Sequence, residues 1–279
     1  AVGYSGGTGT SADPYLIATL GDLQELQTAS QSTPFLSGVY FKQTANIDLG
    51  SVNNWHGIGT ADAAYTGGFQ GSYDGGGYAI FNLKIDDNNN NRSYVGFFNK
   101  VYAGTIQNLS ILNASINKSG TAGGVVDVGV LVGTALKMTA VSLIIKNTYT
   151  TGSVSTAITD KSVNSGGIVG QLATMAQLSF SYSRVAITAS GFGANAGGLV
   201  GYLTAAGSTI SNCFAAGAVS STATYGQVGE VVGYLSGTTS GNPPTTISNV
   251  HYTGNGPVYG LINSTSFLQT WSVTNTQHL

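Results

Sequence analysis

The sequence has few charged side chains. Its 279 residues include 9 Lys and Arg and 11 Asp and Glu, so 7% of the chain is charged, against about 25% in an average soluble domain. A net charge of −2 offers no basic surface to nucleic acid or to an anionic membrane, so neither partner is expected. Beyond Lys161 only Arg184 and Glu230 are charged. A site of several carboxylates is therefore excluded from that part of the chain.

Cysteine and long apolar runs are scarce as well. The single cysteine, Cys213, excludes an internal disulfide framework and is predicted to be a buried core thiol, with an intermolecular bridge or a reactive thiol as the alternatives. The most apolar stretch, 125–145, is interrupted by Asp127, Lys137 and two glycines. Its uncharged pieces are shorter than the roughly 20 residues that cross a bilayer, so no membrane span is predicted.

Glycine is abundant and recurs in a pattern. Gly197-Gly198-Leu199-Val200-Gly201 has looser copies that begin at residues 129, 166 and 229, and a divergent copy that begins at Val95. A fixed period of a few tens of residues is typical of a solenoid, in which stacked copies share one core. The structural repeat glycines are Gly129, Gly133, Gly166, Gly170, Gly197, Gly198, Gly201, Gly229 and Gly233.

The stretches between the glycines favour strands. They are short runs of Val, Ile, Leu, Thr and Tyr, whereas closely spaced glycines would destabilise a helix by roughly 1 kcal/mol each. The glycines are expected where the chain bends, at positive φ or at a close backbone approach. A second signature follows each copy and is predicted to stack as a hydrogen-bonded ladder of asparagines, formed by Asn108, Asn147, Asn212 and Asn249.

These motifs also carry a family resemblance. Gly-Gly-Leu-Val-Gly at 197–201, followed by Ile-Ser-Asn-Cys-Phe at 210–214, resembles the GLUG motif of repeat proteins that are extracellular in bacteria and archaea. The resemblance covers most of residues 92–260. It implies a right-handed parallel β-helix in a cell-surface or adhesin-like protein, and it implies no catalytic residues. The first copy departs from it most, because Asn99 replaces the final glycine.

Three regions are predicted: an N-terminal cap with the first coils (1–91), the repeat solenoid (92–256) and a C-terminal cap (257–279). The cap contains one short amphipathic helix at about 20–29, with Thr19 as N-cap and Asp22 in its first turn. Leu20, Leu23 and Leu26 share one face of this helix. The fold class is therefore all-β, a right-handed parallel β-helix with one short α-helix in its N-terminal cap.

No constellation points to catalysis, a metal or a cofactor. Asp48 and Asp74 precede turn glycines and are assigned to the turns. The run 86–91 is interpreted as a solvated loop rather than a calcium site. His56, His251 and His278 are dispersed, so no zinc site is predicted, and no phosphate-binding loop or serine nucleophile motif is found.

Tyrosines and asparagines remain as candidates for recognition and modification. Tyr202 and Tyr234 follow repeat glycines, and other tyrosines recur in further slots, so they form either an internal stack, which we favour, or an exposed row that contacts sugars or a protein. Asparagines in N-x-Ser/Thr sequons are potential glycosylation sites, although chance matches are common in such a chain. The candidates are Asn91, Asn113, Asn117 and Asn263, whereas Asn108, which is also in a sequon, is assigned to the ladder.

The sequence as a whole predicts a non-enzymatic, extracellular structural or adhesive surface protein. The chain opens on Ala1, which fits a secreted form with a processed N-terminus. Scarce charge favours self-assembly into an oligomer or filament through uncharged faces or edges, with a cell-surface glycan or protein as a further partner. The alternatives are a carbohydrate-active β-helix enzyme, which needs clustered acids, and a monomeric glycan-binding module at a fibre tip, which needs exposed aromatic rings.

Overall fold

The chain winds into a parallel β-solenoid of about six coils, as the repeats predict. We use "coil" for one complete turn of this solenoid. The computed structural model describes residues 3–32, 35–62, 67–88, 92–137, 141–204, 207–236, 245–263, 272–274 and 277–278, with side chains as far as residue 260.

The strands are short in the first coils and longer in the next. In chain order the first nine are β1 (Tyr15–Ile17), β2 (Tyr40–Gln43), β3 (Ile47–Asp48), β4 (Ser72–Asp74), β5 (Ala79–Phe81), β6 (Lys84–Asp87), β7 (Tyr94–Val95), β8 (Phe98–Val101) and β9 (Gly104–Gly120). The next eight are β10 (Val126–Gly129), β11 (Val132–Leu136), β12 (Leu143–Gly166), β13 (Val169–Ala173), β14 (Gln177–Ser179), β15 (Tyr182–Gly197), β16 (Val200–Leu203) and β17 (Thr209–Ala215). The remainder are β18 (Val219–Ser221), β19 (Gln227–Gly229), β20 (Val232–Ser236), β21 (Thr246–Tyr252), β22 (Tyr259–Asn263), β23 (Ser272–Thr274) and β24 (Gln277–His278).

Each coil places its strands directly on those of the coil before it. One sheet consists of six parallel strands in the order β8, β11, β13, β16, β20 and β22, and the other strands form a second, larger sheet. The motif glycines are in register across the coils, since Gly129 pairs with Gly166, Gly166 with Gly197, and Gly197 with Gly229. The sequence period is therefore the coil period.

The predicted helix is present as α1 (Leu20–Ala29), the one α-helix of the described residues. Thr19 Oγ1 accepts a hydrogen bond from the Asp22 backbone N–H at 3.2 Å, and Asp22 Oδ2 accepts one from the Thr19 N–H at 2.9 Å. This reciprocal capping box fixes the start of the helix. Leu23 and Leu26 are fully buried and join the continuous core that extends from Ile17 to Val250.

The run 86–91, interpreted as a solvated loop, is only partly a loop. Asp86 and Asp87 end β6, which pairs with β9, and Asp87 is 4% exposed. Its Oδ2 lies 3.1 Å from the buried Lys118 Nζ and 3.8 Å from Arg92 Nε. Because it faces two buried cations, this carboxylate is packed within the wall of the solenoid. Residues 89–91 lie outside the described part.

The first coils continue directly into the repeats, because β4, β5 and β6 all pair with β9. At the other end β22 pairs with β20 and extends the six-stranded sheet past residue 256. The regional boundaries at 91 and 256 stay predictions.

Candidate functional site

A groove runs along the coils between two rows of side chains that the repeat motif itself positions. In each coil, the residue two places before the first motif glycine belongs to one row, and the residue directly after the last motif glycine belongs to the other. The first, which we call the amide row, consists of Tyr94, Asp127, Asn164, Asn195 and Gln227. The second, the tyrosine row, consists of Thr134, Gln171, Tyr202 and Tyr234.

The groove has a size suited to a ligand. Its cavity volume is about 660 Å³, within the usual range of small-molecule sites, roughly 300–1,000 Å³. Val125 and Tyr225, which are 51% and 67% exposed, also line it. Most of the lining side chains can form hydrogen bonds, and the described lining contains no Lys, Arg, His or Cys.

Hydrogen bonds between coils hold the amide row in place. Asn164 Nδ2 donates to Asp127 Oδ1 at 2.7 Å, and Asn195 Nδ2 donates to Asn164 Oδ1 at 2.8 Å. Asn164 is 4% exposed, whereas Asn195 and Gln227 are partly exposed. A primary amide has two N–H donors and two acceptor lone pairs, so these contacts use only part of its capacity. The row therefore presents oriented donors and acceptors to the groove.

Asp127 is the only carboxyl group in the described lining of the groove. Burial raises its pKa to about 7, against the lowering effect of hydrogen bonds from Asn164 and Thr134. Burial also raises the pKa of Tyr94 to about 12, with a smaller contribution from the charge of Asp127. The Asp127 carboxyl is thus partly protonated near neutral pH, and the groove has little fixed charge.

Lys100 lies close to this end of the groove but outside its lining. Its Nζ lies 4.5 Å from the ring centroid of Tyr94 and 5.5 Å from that of Tyr102, and it donates to the Asp62 carbonyl oxygen at 3.4 Å. Burial lowers its pKa to about 8. The cation therefore belongs to the wall between the early coils.

The tyrosine row answers the question whether the repeated tyrosines are stacked or exposed. The rings of Tyr202 and Tyr234 are stacked, with centroids 5.2 Å apart and planes 4° from parallel. Each ring covers a face of the other, but both side chains are partly exposed and line the groove, so the pair is stacked as predicted and is not internal. Tyr225 differs, because its ring meets Phe192 at a tilt of 59° with centroids 5.4 Å apart and remains 67% exposed.

The repeat glycines lie between the two rows, where the backbones approach closely. A Cβ at Gly201 would lie 2.5 Å from the Ser165 backbone N, and one at Gly198 would lie 2.1 Å from the Glu230 carbonyl oxygen. The alternative expectation of positive φ is wrong for these positions. None of the nine repeat glycines has a positive φ, namely Gly129, Gly133, Gly166, Gly170, Gly197, Gly198, Gly201, Gly229 and Gly233. These residues need glycine because a neighbouring coil occupies the space of a side chain.

The predicted asparagine ladder forms outside the groove and carries the positive φ values instead. Asn147 Nδ2 donates to Asn108 Oδ1 at 3.1 Å, and Asn249 Nδ2 donates to Asn212 Oδ1 at 2.5 Å. All four asparagines have φ between 49° and 53°. Phe180 occupies the coil between Asn147 and Asn212 at φ 48°, and the ladder is interrupted there.

Two of the sequon asparagines lie on the outer surface. Asn113 Nδ2 donates to Asn82 Oδ1 at 2.6 Å, and Asn117 Nδ2 donates to Asp86 Oδ1 at 3.1 Å. Both nitrogens that a glycan would modify already bridge neighbouring coils. Asn91 and the side chain of Asn263 lie outside the described residues. Glycosylation at these four positions stays a prediction.

The carboxylates that the sequence offered for catalysis do not converge. Asp48 Oδ1 accepts from the Gly50 N–H and Asp74 Oδ1 from the Gly76 N–H, which is the predicted turn role. Hydrogen bonds, from Asn82 first, lower the pKa of Asp48. Among the described residues no three His, Cys, Asp or Glu side chains are grouped to hold a metal ion. No helix of that part of the chain is long and apolar enough to span a membrane.

Sequence reasoning missed the amide row. Asp127 was noted only as a break in an apolar stretch, and Asn164, Asn195 and Gln227 were not considered. The signal was nevertheless present, because all of them stand two residues before a motif glycine and all can form hydrogen bonds. Aligning the copies on that glycine would have found the row. Cys213, by contrast, is buried as predicted, and burial raises its pKa to about 12.

Comparisons with known proteins place these features in context. No protein-family model matches the sequence, so the resemblance to GLUG proteins stays a prediction. The chain is 34% identical over 197 residues to halomucin of Haloquadratum walsbyi, which is 70% of this chain and 2% of halomucin. It thus spans a small fraction of that relative's length.

A crystal structure from Bacteroides ovatus is similar to this chain throughout. The protein in that structure is described as a putative immunoglobulin A1 protease. The TM-score is 0.69 with 24% sequence identity, and the match covers 98% of this chain and 77% of the other. At this identity the likeness shows the β-helix fold alone.

Proposed function

We propose that this chain is a non-catalytic adhesive module of an extracellular surface protein, and that it binds its ligand in the groove. The observation that carries the proposal is the pair of rows, which offers a hydrogen-bonding side chain from each of several successive coils. Such a surface suits an extended polymer, because the same chemistry recurs along its length. Similarity to part of halomucin supports a surface setting.

The composition of the groove supports binding without cleavage. Hydrolysis of a glycosidic bond ordinarily uses two carboxyl groups, and the described lining has Asp127 alone. Peptide hydrolysis by a cysteine nucleophile needs a reactive thiolate, whereas burial raises the pKa of Cys213. The groove therefore offers fewer of the residues that a carbohydrate-active β-helix enzyme needs than of those that adhesion needs.

Adhesion and turnover can be tested in one experiment. Beads carrying the full chain are placed on surfaces coated with mucin, mannan or immunoglobulin A1, and the coats are afterwards examined for cleavage. We expect adhesion to at least one coat, a clear loss with Asn195→Leu, and intact polymer. Gln177→Leu is the matched control, since Gln177 is an exposed amide on β14 outside the groove. Cleavage of a coat, or no adhesion to any, would contradict the proposal.

Self-assembly is a second candidate function, favoured by partly exposed aromatic rings on another face. Tyr149, Tyr182 and Phe214 form a stacked column with successive centroids 4.9 Å apart, and the neighbouring Phe180 is 61% exposed. The shortage of charged residues after Lys161 removes the repulsion that normally opposes such contacts.

Sedimentation of the full chain at micromolar concentration tests this second candidate. We expect oligomers that are converted to monomers by Phe180→Lys together with Tyr182→Lys. Val141→Lys serves as the control, because Val141 is 57% exposed and lies outside the column. A monomeric wild-type chain would exclude self-assembly and leave adhesion through the groove untouched.

A further inference from the structure

We infer that the groove ligand is an uncharged glycan in an extended conformation, with its hydroxyl groups on the amide row and an apolar sugar face on Tyr225. The inference rests on the proposed adhesive function and specifies the ligand class. Four features of the groove lead to it: its charge, its amides, its exposed aromatic ring and its paired backbone.

The charge of the groove disfavours an acidic polymer. Acidic glycans, nucleic acids and acidic peptides are bound through Lys and Arg, and the described lining contains neither. A basic ligand would meet only Asp127, which is 2% exposed and already accepts a hydrogen bond from Asn164. A neutral ligand needs no counter-charge, so its binding is not weakened by the lack of Lys and Arg in the described lining.

The amide row matches the hydrogen-bonding pattern of a sugar chain. Asn195 and Gln227 are partly exposed to the groove, and their amides can donate and accept at the same time. Neighbouring sugar hydroxyl groups also both donate and accept. Successive amides are one coil apart, about 4.8 Å in a parallel sheet, so a chain lying along the coils meets a new amide at each step.

Tyr225 supplies the apolar part of the site. Sugar rings have faces of C–H groups that pack on aromatic rings, and a tyrosine presents such a surface together with a polar tip. Tyr225 lines the groove, is 67% exposed, and contacts Phe192 at a tilt rather than in a parallel stack. Tyr202 and Tyr234 each have one ring face covered by the other, so they offer less free aromatic surface than Tyr225 does.

The central strands of the groove are paired on both edges and give a peptide no open edge, whereas β7 and β19 at its two ends each have one strand partner among the described residues. Peptides in extended form are commonly captured by hydrogen bonds to an open sheet edge. Here β10 is paired with β7 on one side and with β12 on the other, and β15 is paired with β12 and β19. Recognition along β10, β12 and β15 therefore depends on side chains, which favours a ligand rich in hydroxyl groups.

Calorimetric titration of the full chain tests the ligand class directly. The probes are linear hexasaccharides of glucose, mannose and galactose, with hexagalacturonate as the charged counterpart of the galactose chain. We expect at least one neutral hexasaccharide to bind, and hexagalacturonate to bind at least tenfold more weakly than the galactose chain. Asn195→Ala and Tyr225→Ala should each weaken binding of the neutral probe about fivefold or more, as for one lost hydrogen bond or aromatic contact.

Controls separate failure of this inference from failure of the proposed function. Gln177→Ala should bind as the wild type does, and every variant should remain folded at the temperature of the titration, so that loss of affinity is not loss of fold. Preferential binding of hexagalacturonate, or no binding of any neutral probe while groove-dependent adhesion persists, would overturn the ligand class and leave adhesion standing. Absence of adhesion in the bead experiment would overturn both.

Discussion

The early coils, residues 15–137, and the late coils, residues 141–263, place their aromatic side chains on opposite sides of the wall. Trp55, Phe69, Phe97 and Phe98 are fully buried, with Trp55 stacked on Phe97 at 5.5 Å. In the described late coils the core is aliphatic, and aromatic rings lie outside it in stacked columns or exposed at the rim. The aromatic rings of the early coils thus stabilise the core, whereas those of the late coils lie at the surface.

Charge follows the same division. Most charged side chains lie before Lys137, and three hydrogen-bonded ladders start there with an aspartate that accepts from an asparagine of the next coil. An ionised carboxylate only accepts hydrogen bonds, so Asp48 and Asp74, whose pKa values are lowered, suit the end of a ladder whose amides all donate backward. The three ladders are Asp48–Asn82–Asn113, Asp74–Asn108–Asn147 and Asp127–Asn164–Asn195.

The largest effect should come from the buried charges of the early coils. Asp87→Asn removes the carboxylate that faces the fully buried Lys118 and, more distantly, Arg92. Breaking a buried ion pair costs about 3–5 kcal/mol, because a charge loses its partner. We expect such a loss in the free energy of unfolding by denaturant. Asp86→Asn is the control, since Asp86 is adjacent but exposed, and an equal loss there would contradict the role of burial.

A slightly smaller loss is expected where late coils approach each other. In Gly201→Val the new Cβ would lie 2.5 Å from the Ser165 backbone N and 2.7 Å from the Asn164 carbonyl carbon. Backbone atoms cannot move aside as a flexible side chain can, so the coils must separate at a cost of about 3 kcal/mol. Gly124→Val is the control, because nothing lies within 4 Å of a Cβ there. Equal melting temperatures for the two variants would contradict close packing as the reason for Gly201.

Asp127 links the two regions and should make stability depend on pH. Its folded-state pKa is raised to about 7 by burial, so the folded protein holds a proton that the unfolded chain releases above about pH 4. Stability is therefore greatest below pH 4 for this group and declines as the pH rises to about 7. A shift of three units corresponds to about 4 kcal/mol, which we take as the upper limit of the decline.

The test of this slope is denaturant unfolding of wild type and Asp127→Asn between pH 4 and 8. The variant should lose the decline and be the more stable protein at pH 8. Asp74→Asn gives the opposite control. Burial raises the pKa of Asp74, but hydrogen bonds from Asn108, Gly76 and Gln107 outweigh it, so the net pKa is lowered. Its contribution is lost only as the pH falls below about 4, so this control is measured between about pH 5 and pH 2. If Asp127→Asn left the pH profile unchanged, the carboxyl would not be held protonated.

The fold could be predicted from sequence to a large extent because its causes are local and repeated. The capping box at Thr19 and Asp22 fixed α1, and the glycine spacing fixed the coils. The reason for the glycines was less accessible. Positive φ and backbone crowding select the same residue type, and only the packing of coil on coil shows that Gly201 is required by crowding.

The groove was harder to predict because it depends on register. Asn164 and Asn195 are ordinary polar residues within strands, and a strand sequence alone does not say which of its faces is lined by other coils. Asp87 was misinterpreted for a related reason: its partner Lys118 lies on the neighbouring coil, far along the chain. Tyr225 carries no repeat signal, so only its exposure beside the groove reveals it.

The smallest predicted effect is a gain in stability and concerns the interrupted asparagine ladder. Phe180 has φ 48°, a left-handed conformation that is costly for a bulky residue and well tolerated by asparagine. It is 61% exposed, so little burial would be lost on replacement. Phe180→Asn would place an amide between Asn147 and Asn212 and join the two parts of the ladder.

We expect Phe180→Asn to raise the free energy of unfolding by about 0.5–1 kcal/mol, from relieved backbone strain and one or two added hydrogen bonds. Phe180→Ala separates these contributions, since alanine removes the ring but neither favours the conformation nor restores the ladder. If the asparagine variant were no more stable than the alanine variant, the ladder would contribute nothing to stability. If instead the asparagine variant is the more stable protein, Phe180 is present at a cost to the fold. Its ring would then serve contact with another molecule, as the other exposed rings of the late coils do in the proposed functions.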